Sequence, residues 1–149
     1  MSAALRHIKD AERLADSSQP DSYSLEQAFH LAGFAPECAR KACLQKGDAD
    51  KVMGHDFGDC AEAVLSTWLS LDAHAHRYRP DRFLERYPGL NTWTPESRYK
   101  PNGFLLRPRG GNNDPTVDSC EKLLEDARAA TDDILLMLWT DGKIDVEAL

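Results

Sequence analysis

Apolar residues recur every three or four positions in four long segments, and this spacing constrains the fold more than any other feature of the chain. One face of an α-helix presents residues at that spacing, whereas a half-buried strand alternates apolar and polar residues. The pattern predicts helices over residues 2–16, 22–46, 57–76 and 116–138. Strand patterns are nearly absent. We therefore expect an all-α protein, an up-and-down antiparallel bundle of four to five helices that buries the apolar stripes together.

Two residues refine this prediction. Pro36 lies inside the second helical segment, where it removes a backbone donor and should bend the helix. The apolar phase is the same on both sides of Pro36, which favours one kinked helix over two short ones. Thr116 precedes the last helix and offers a side-chain cap.

The 149 residues fit one domain, 1–149, with a single core. No apolar run approaches the roughly 20 residues that span a bilayer, and the first residues lack the apolar centre of a secretion signal. We expect a cytoplasmic protein with reduced cysteines. The four cysteines form no CxxC pair and are scattered relative to His30 and His55, so we expect no bound metal; no glycine loop indicates a cofactor.

Residues 77–109, here called the basic aromatic segment, differ in composition from the rest of the chain. They hold eight Lys and Arg against three Asp and Glu, a balance of +5, whereas the remainder carries −12. Interleaved arginines and aromatic rings suit single-stranded nucleic acid or a protein partner. They also suit a loop that its aromatic side chains pack onto the bundle. The candidate surface residues are Arg77, Arg79, Arg82, Arg86, Trp93 and Lys100.

The most specific run is Ala-Gly-Phe-Ala-Pro-Glu-Cys-Ala-Arg-Lys-Ala, residues 32–42. It resembles the Ala-Gly-Tyr-Ala-x-Glu-Cys-x-x-Lys-Ala run that opens the long second helix of many bacterial HEPN domain proteins. Residues 7–14 resemble the first helix of that family, and residues 54–57 resemble the Gly-His-x-Leu start of its third helix. Residues 93–99 resemble its Trp-x-x-x-x-Arg-Tyr turn. These matches occur in the order and at the spacing found in the family, and together they cover nearly the whole chain.

The resemblance implies a helical bundle, often dimeric, that is associated with nucleotide or RNA binding. It also implies nucleotidyltransferase partners and toxin–antitoxin or antiviral loci. Ribonucleases of the family carry an arginine followed, after four to six residues, by a histidine on the last helix. The last helix of this chain contains no histidine, so that catalytic pair is missing and no catalytic residue is assigned.

Glu37 and Lys41 are one helical turn apart and can pair. If their face turns toward the bundle, Arg98 and Tyr99 would be natural partners, with His55 nearby. This cluster would be either a structural polar network or the floor of a phosphate or nucleotide pocket.

Two functions remain open at this point. The first is a non-catalytic interaction module of the HEPN type that forms a homodimer or binds a partner protein such as a nucleotidyltransferase. The second is a metal-independent ribonuclease with a rearranged site. In that site His55, or His74 with Arg77, would act as general acid and base.

Overall fold

The computed structural model describes residues 2–42, 80–100, 103–105, 116–140 and 142. Four α-helices lie in these ranges: α1 (Ser2–Ala15), α2 (Leu25–Ala42), α3 (Pro80–Arg86) and α4 (Val117–Thr140). Two 3₁₀ helices, Pro88–Thr92 and Pro95–Tyr99, follow α3. The described part of the chain contains no strand, and the all-α bundle is confirmed. The helix predicted over 57–76 lies outside the described residues.

Helices α1 and α2 pack against each other in opposite directions. At one end the Ser24 amide donates to the Leu14 carbonyl at 2.8 Å, and toward the other end the rings of His7 and Phe34 lie 6.1 Å apart. Their shared interface is built from small side chains around a few large ones. The fully buried residues of the two helices are Ala4, Ile8, Ala11, Ala28, Phe29, Ala32, Ala35 and Ala39. Alanine lets two helix backbones approach closely, and the buried side chains of this pair join the hydrophobic core.

Helix α4 runs parallel to α2 and antiparallel to α1. The Cys120 thiol lies 3.6 Å from the Leu25 carbonyl, which joins the first turns of α4 and α2. Near the other end of α2, Phe83 packs under Arg40, and its neighbour Tyr87 donates to Asp133 of α4.

Helix α2 continues through Pro36 without a break. The missing amide and the ring of an interior proline cost a helix about 3 kcal/mol or more. Alanines on both sides of Pro36 are fully buried against α1 and α4, and this packing offsets the cost. The prediction of one helix is confirmed over Leu25–Ala42, and its predicted continuation to residue 46 lies outside the described residues.

Capping residues set the helix boundaries. The Thr116 hydroxyl accepts from the Ser119 amide at 3.2 Å, so the predicted cap of the last helix is present. Helix α2 begins three residues later than predicted, because the Ser24 hydroxyl accepts from the Gln27 amide at 3.4 Å. Asp16 ends α1 by accepting from the Ser18 amide at 2.9 Å, and hydrogen bonds from the side chain and the amide of Ser18 lower the pKa of Asp16.

Within the described ranges, no helix combines the length and the apolar character needed to cross a membrane.

Candidate interaction surface

Trp93 anchors the basic aromatic segment to α2. Its side chain is 4% exposed, its indole N–H donates to the His30 carbonyl at 3.1 Å, and its ring meets Phe34 edge-on at 5.1 Å. The ring lies directly on Gly33, where a Cβ atom would come within 2.1 Å of it. This burial contradicts the assignment of Trp93 to the candidate surface and agrees with the alternative, in which aromatic side chains of the segment pack onto the bundle. Its indole fills a site that only glycine leaves open.

Gly89 forms a second anchor, on α4. The buried Asp126 carboxylate accepts from the Gly89 amide at 2.6 Å. Lys122 lies 2.9 Å from the same carboxylate, whose hydrogen bond raises the pKa of Lys122. A Cβ atom at Gly89 would lie 2.6 Å from the Lys122 carbonyl. The first 3₁₀ helix thus touches the α4 backbone itself, and the buried charge of Asp126 is balanced.

Helix α3 supplies the third anchor. Phe83 is fully buried, with the Arg40 guanidinium 5.4 Å from its ring centroid. The Tyr87 hydroxyl donates to Asp133, and Arg86 lies 2.8 Å from the same carboxylate. Arg86, predicted as a surface residue for a partner, is half exposed but forms this ion pair within the molecule.

Residues 98–100, here called the rim, remain at the surface. The Arg98 guanidinium lies 4.5 Å from the Tyr99 ring centroid, and Tyr99 is 74% exposed. Lys100 is exposed, with its ammonium 5.1 Å from the Phe104 ring. Phe104 in turn packs edge-on against buried Phe29, with 5.9 Å between ring centroids. The rim therefore displays two cations and an aromatic ring from a turn fixed to the bundle.

The predicted polar cluster is divided in the structure. Lys41 and Glu37 form an ion pair at 2.5 Å, with Glu37 buried and Lys41 partly exposed. Tyr99 is not a buried member of the cluster. The second 3₁₀ helix buries Ser97, and Tyr99, two residues later, is exposed to solvent with Arg98. The predicted residues His55, Arg77 and Arg79 lie outside the described residues.

Two histidines lie beside Phe34. The ring centroids of His30 and Phe34 are 4.7 Å apart, and those of His7 and Phe34 are 6.1 Å apart. Burial lowers the pKa of both imidazoles, with a further contribution from Arg6 at His7 and from Arg98 at His30. His30 Nδ1 is buried and finds no hydrogen-bond partner among the described residues. Both rings are therefore favoured in the neutral form.

Sequence reasoning missed these histidines and the buried Arg40. His7 and His30 are 23 positions apart, and only the antiparallel pairing of α1 and α2 brings them to one ring. The sequence did carry a signal for Arg40. Arg40 directly follows Ala39 and therefore lies beside the apolar face formed by Ala32, Ala35 and Ala39. A charged residue there predicts a long side chain that packs its stem inward.

The described residues offer no sign of metal or thiol chemistry. No group of three or more His, Cys, Asp or Glu side chains in this part of the chain could hold a metal ion. Burial raises the pKa of the Cys120 thiol to about 12 and also raises that of Cys38. Both thiols stay protonated near neutral pH, a state in which cysteine is a poor nucleophile.

Comparison with protein-family models, with curated proteins and with solved structures finds no match to this chain.

Proposed function

We propose that this chain is a non-catalytic interaction module of the HEPN type that binds a partner protein through the rim. The observation that carries the proposal is the 74% exposure of Tyr99, stacked with Arg98, on a turn that buried Trp93 fixes to α2. Arginine and tyrosine supply a large share of the binding energy at protein interfaces. A fixed turn presents them with little ordering cost on binding.

Charge favours a protein partner with an acidic surface over nucleic acid. Nonspecific affinity for nucleic acid rests on neutralising many phosphates, and this chain has a formal net charge of −7. The rim offers two cations, Arg98 and Lys100, while Arg86 is already paired with Asp133. A partner such as the nucleotidyltransferase suggested by the family resemblance fits this small cationic and aromatic surface, in a toxin–antitoxin or antiviral setting.

The test is affinity purification of the full chain, at matched expression, from its native host. Partners are quantified for the unchanged protein and for the double variant Arg98→Ala/Tyr99→Ala. We expect recovery of the main partner to fall at least tenfold with an unchanged melting temperature, since both side chains are exposed. Tyr23→Ala, which removes another exposed tyrosine, is the matched control and should leave recovery unchanged. Equal recovery with the rim variant would contradict the proposal.

A second candidate, metal-independent RNA cleavage, has one observation in its favour. Burial, and to a smaller extent the charge of Arg98, lowers the pKa of the His30 imidazole, so this ring is a neutral base that feels the field of a cation from a distant part of the chain. RNA turnover by the purified protein separates the two functions. The interaction module predicts no turnover above buffer. Turnover that both His30→Ala and Arg98→Ala abolish would favour the ribonuclease.

A further inference from the structure

His30 takes part twice in the attachment of Trp93 to α2. Its carbonyl accepts from the Trp93 indole N–H at 3.1 Å. Its imidazole packs edge-on against Phe34 with 4.7 Å between ring centroids, and Phe34 packs edge-on against Trp93 at 5.1 Å. The three rings form a row that ends at the tryptophan from which the chain continues into the rim. A change at His30 can therefore reach the rim through Phe34 and Trp93.

The position of His30 Nδ1 restricts the protonation state of the ring. This atom is buried and finds no hydrogen-bond partner among the described residues. A neutral imidazole carries one proton and can keep it on Nε2, which leaves Nδ1 bare. An imidazolium carries a proton on both nitrogens. Protonation would therefore create a buried N–H donor without an acceptor, a group that is costly to leave unsatisfied.

The charges that face His30 also oppose its protonation. Among the described residues they belong to Arg98 of the second 3₁₀ helix and His7 of α1. Arg98 is a cation, and His7 gains its own positive charge as the pH falls through the histidine range. A proton on His30 would thus add a third cation to this part of the fold.

Carboxylates on the surrounding elements act elsewhere. These are Asp10 on α1, Glu26 and Glu37 on α2, Glu85 on α3, Glu96 on the second 3₁₀ helix and Glu121 on α4. Asp10 and Glu37 act on His7, and Glu26 accepts from the Gly103 amide at 2.9 Å. Glu121 acts on Cys120, while Glu85 and Glu96 are exposed. These six carboxylates make no contribution to the pKa of His30, which burial, Arg98 and His7 lower.

We propose that protonation of His30 detaches the turn that carries the rim from α2, so that mildly acidic pH prevents the rim from binding its partner. The imidazolium gains acceptors by turning out to water, and Phe34 then loses the neighbour that holds it against Trp93. The second 3₁₀ helix itself offers little resistance. Its buried residue is Ser97, whose hydroxyl finds no partner in the described part of the chain. Segments with few buried contacts open before the rest of a fold does.

This regulation rests on the proposed function, because it acts on the rim. The detachment itself is a property of the isolated chain and is measured without a partner. The two proposals therefore fail separately.

Fluorine NMR of the full chain, labelled with fluorinated tryptophan, follows the detachment. The chain has three tryptophans, and Trp93→Phe identifies the resonance of Trp93. A soluble gadolinium chelate broadens each resonance according to its exposure to solvent. From about pH 7.5 to about pH 5, across the histidine range, we expect broadening of the Trp93 resonance to rise at least threefold. Trp139, already 44% exposed, should change little, and circular dichroism should show that the helices are retained.

The midpoint of this change should equal the midpoint of the His30 imidazole titration, followed by proton NMR. This comparison uses the unchanged protein and does not depend on the folding of any variant. His30→Gln should keep Trp93 buried throughout the pH range. His7→Gln, which removes the other histidine beside Phe34, is the matched control. It should keep the transition at a slightly higher pH, since His7 no longer opposes protonation of His30.

A Trp93 resonance that stays protected while His30 titrates would overturn the proposal. So would exposure of Trp93 that persists in His30→Gln, or exposure that coincides with loss of the helices.

Affinity purification well above and well below the measured midpoint tests the effect on binding. Recovery of the main partner should fall at acidic pH at least fivefold more for the unchanged protein than for His30→Gln. Equal falls for the two proteins would overturn the regulation of the rim. If Arg98→Ala/Tyr99→Ala leaves recovery at neutral pH unchanged, the proposed function fails, while the NMR transition of Trp93 stands.

Discussion

At the scale of single residues, Gly33 determines where the Trp93 side chain packs, because glycine has no side chain of its own. The Trp93 indole occupies the space where any other residue at position 33 would place its Cβ atom. The sequence marked both residues through the HEPN resemblance, but it left open whether Trp93 lies at the surface or packs the segment onto the bundle. Their contact joins positions 60 residues apart, and periodicity along one helix carries no information about such a pair.

The first prediction follows from this contact. In a helix interior, glycine to alanine ordinarily stabilises a protein by about 0.5–1 kcal/mol. Gly33→Ala should instead lower the free energy of unfolding by about 1–3 kcal/mol, because the new methyl group overlaps the Trp93 ring. Urea unfolding measures the change.

A double-mutant cycle is the control for that prediction. In a Trp93→Ala background the clash is absent, so Gly33→Ala should become neutral or stabilising there. An equal loss of stability in both backgrounds would show that the indole is not the cause.

At the scale of elements, the sequence predicted the long helices well and the short ones poorly. Apolar spacing identified α1, α2 and α4, and the boundaries moved by one to three residues where Ser24 or Asp16 formed local hydrogen bonds. The two 3₁₀ helices each begin at a proline and span five residues, too few to show a period. Their positions are fixed by contacts with α2 and α4, which no local pattern encodes.

The second prediction concerns the attachment of the first 3₁₀ helix to α4. Asp126→Ala removes the acceptor of the Gly89 amide and leaves that buried donor unsatisfied. We expect a loss of about 1–3 kcal/mol in the free energy of unfolding. Glu125→Ala is the matched control, because Glu125 also pairs with Lys122 but is largely exposed and should contribute little. Similar losses for the two variants would argue against a role for the Gly89 contact.

At the scale of the whole molecule, the fold class followed from the sequence, whereas the candidate site did so only in part. The Glu37–Lys41 pair formed because one helical turn is enough to join its members. Lys100 was predicted at the surface from its residue type, whereas Arg98 and Tyr99 were predicted in the polar cluster, because exposure here depends on which face of a short turn is buried. The histidines beside Phe34 required the packing of α1 against α2.

The third prediction is a dependence of stability on pH. The folded state lowers the pKa values of His7 and His30, so the unfolded chain binds more protons below the ordinary histidine pKa. Stability should be complete above about pH 6.5 and should fall as the pH drops from there toward the folded pKa values. Melting temperatures measured from about pH 7.5 to about pH 5.5 report this slope.

The variant His30→Gln isolates one imidazole from that slope. It removes a titrating group and keeps a polar side chain of comparable length, so the decline in melting temperature over this interval should become shallower. The lowered pKa of Asp16 is no confounder, because its effect is lost only at more acidic pH. An unchanged slope would mean that His30 titrates equally in the folded and unfolded chains.

The packing of Trp93 on α2 has a further consequence for the timing of recognition. The six residues from Trp93 to Arg98 begin at an indole hydrogen-bonded to a helix carbonyl, so the backbone that carries the rim is ordered when the domain folds. A binding partner meets a surface that is already in place. Association should then follow simple one-step kinetics, with an observed rate proportional to partner concentration and no slow isomerisation phase.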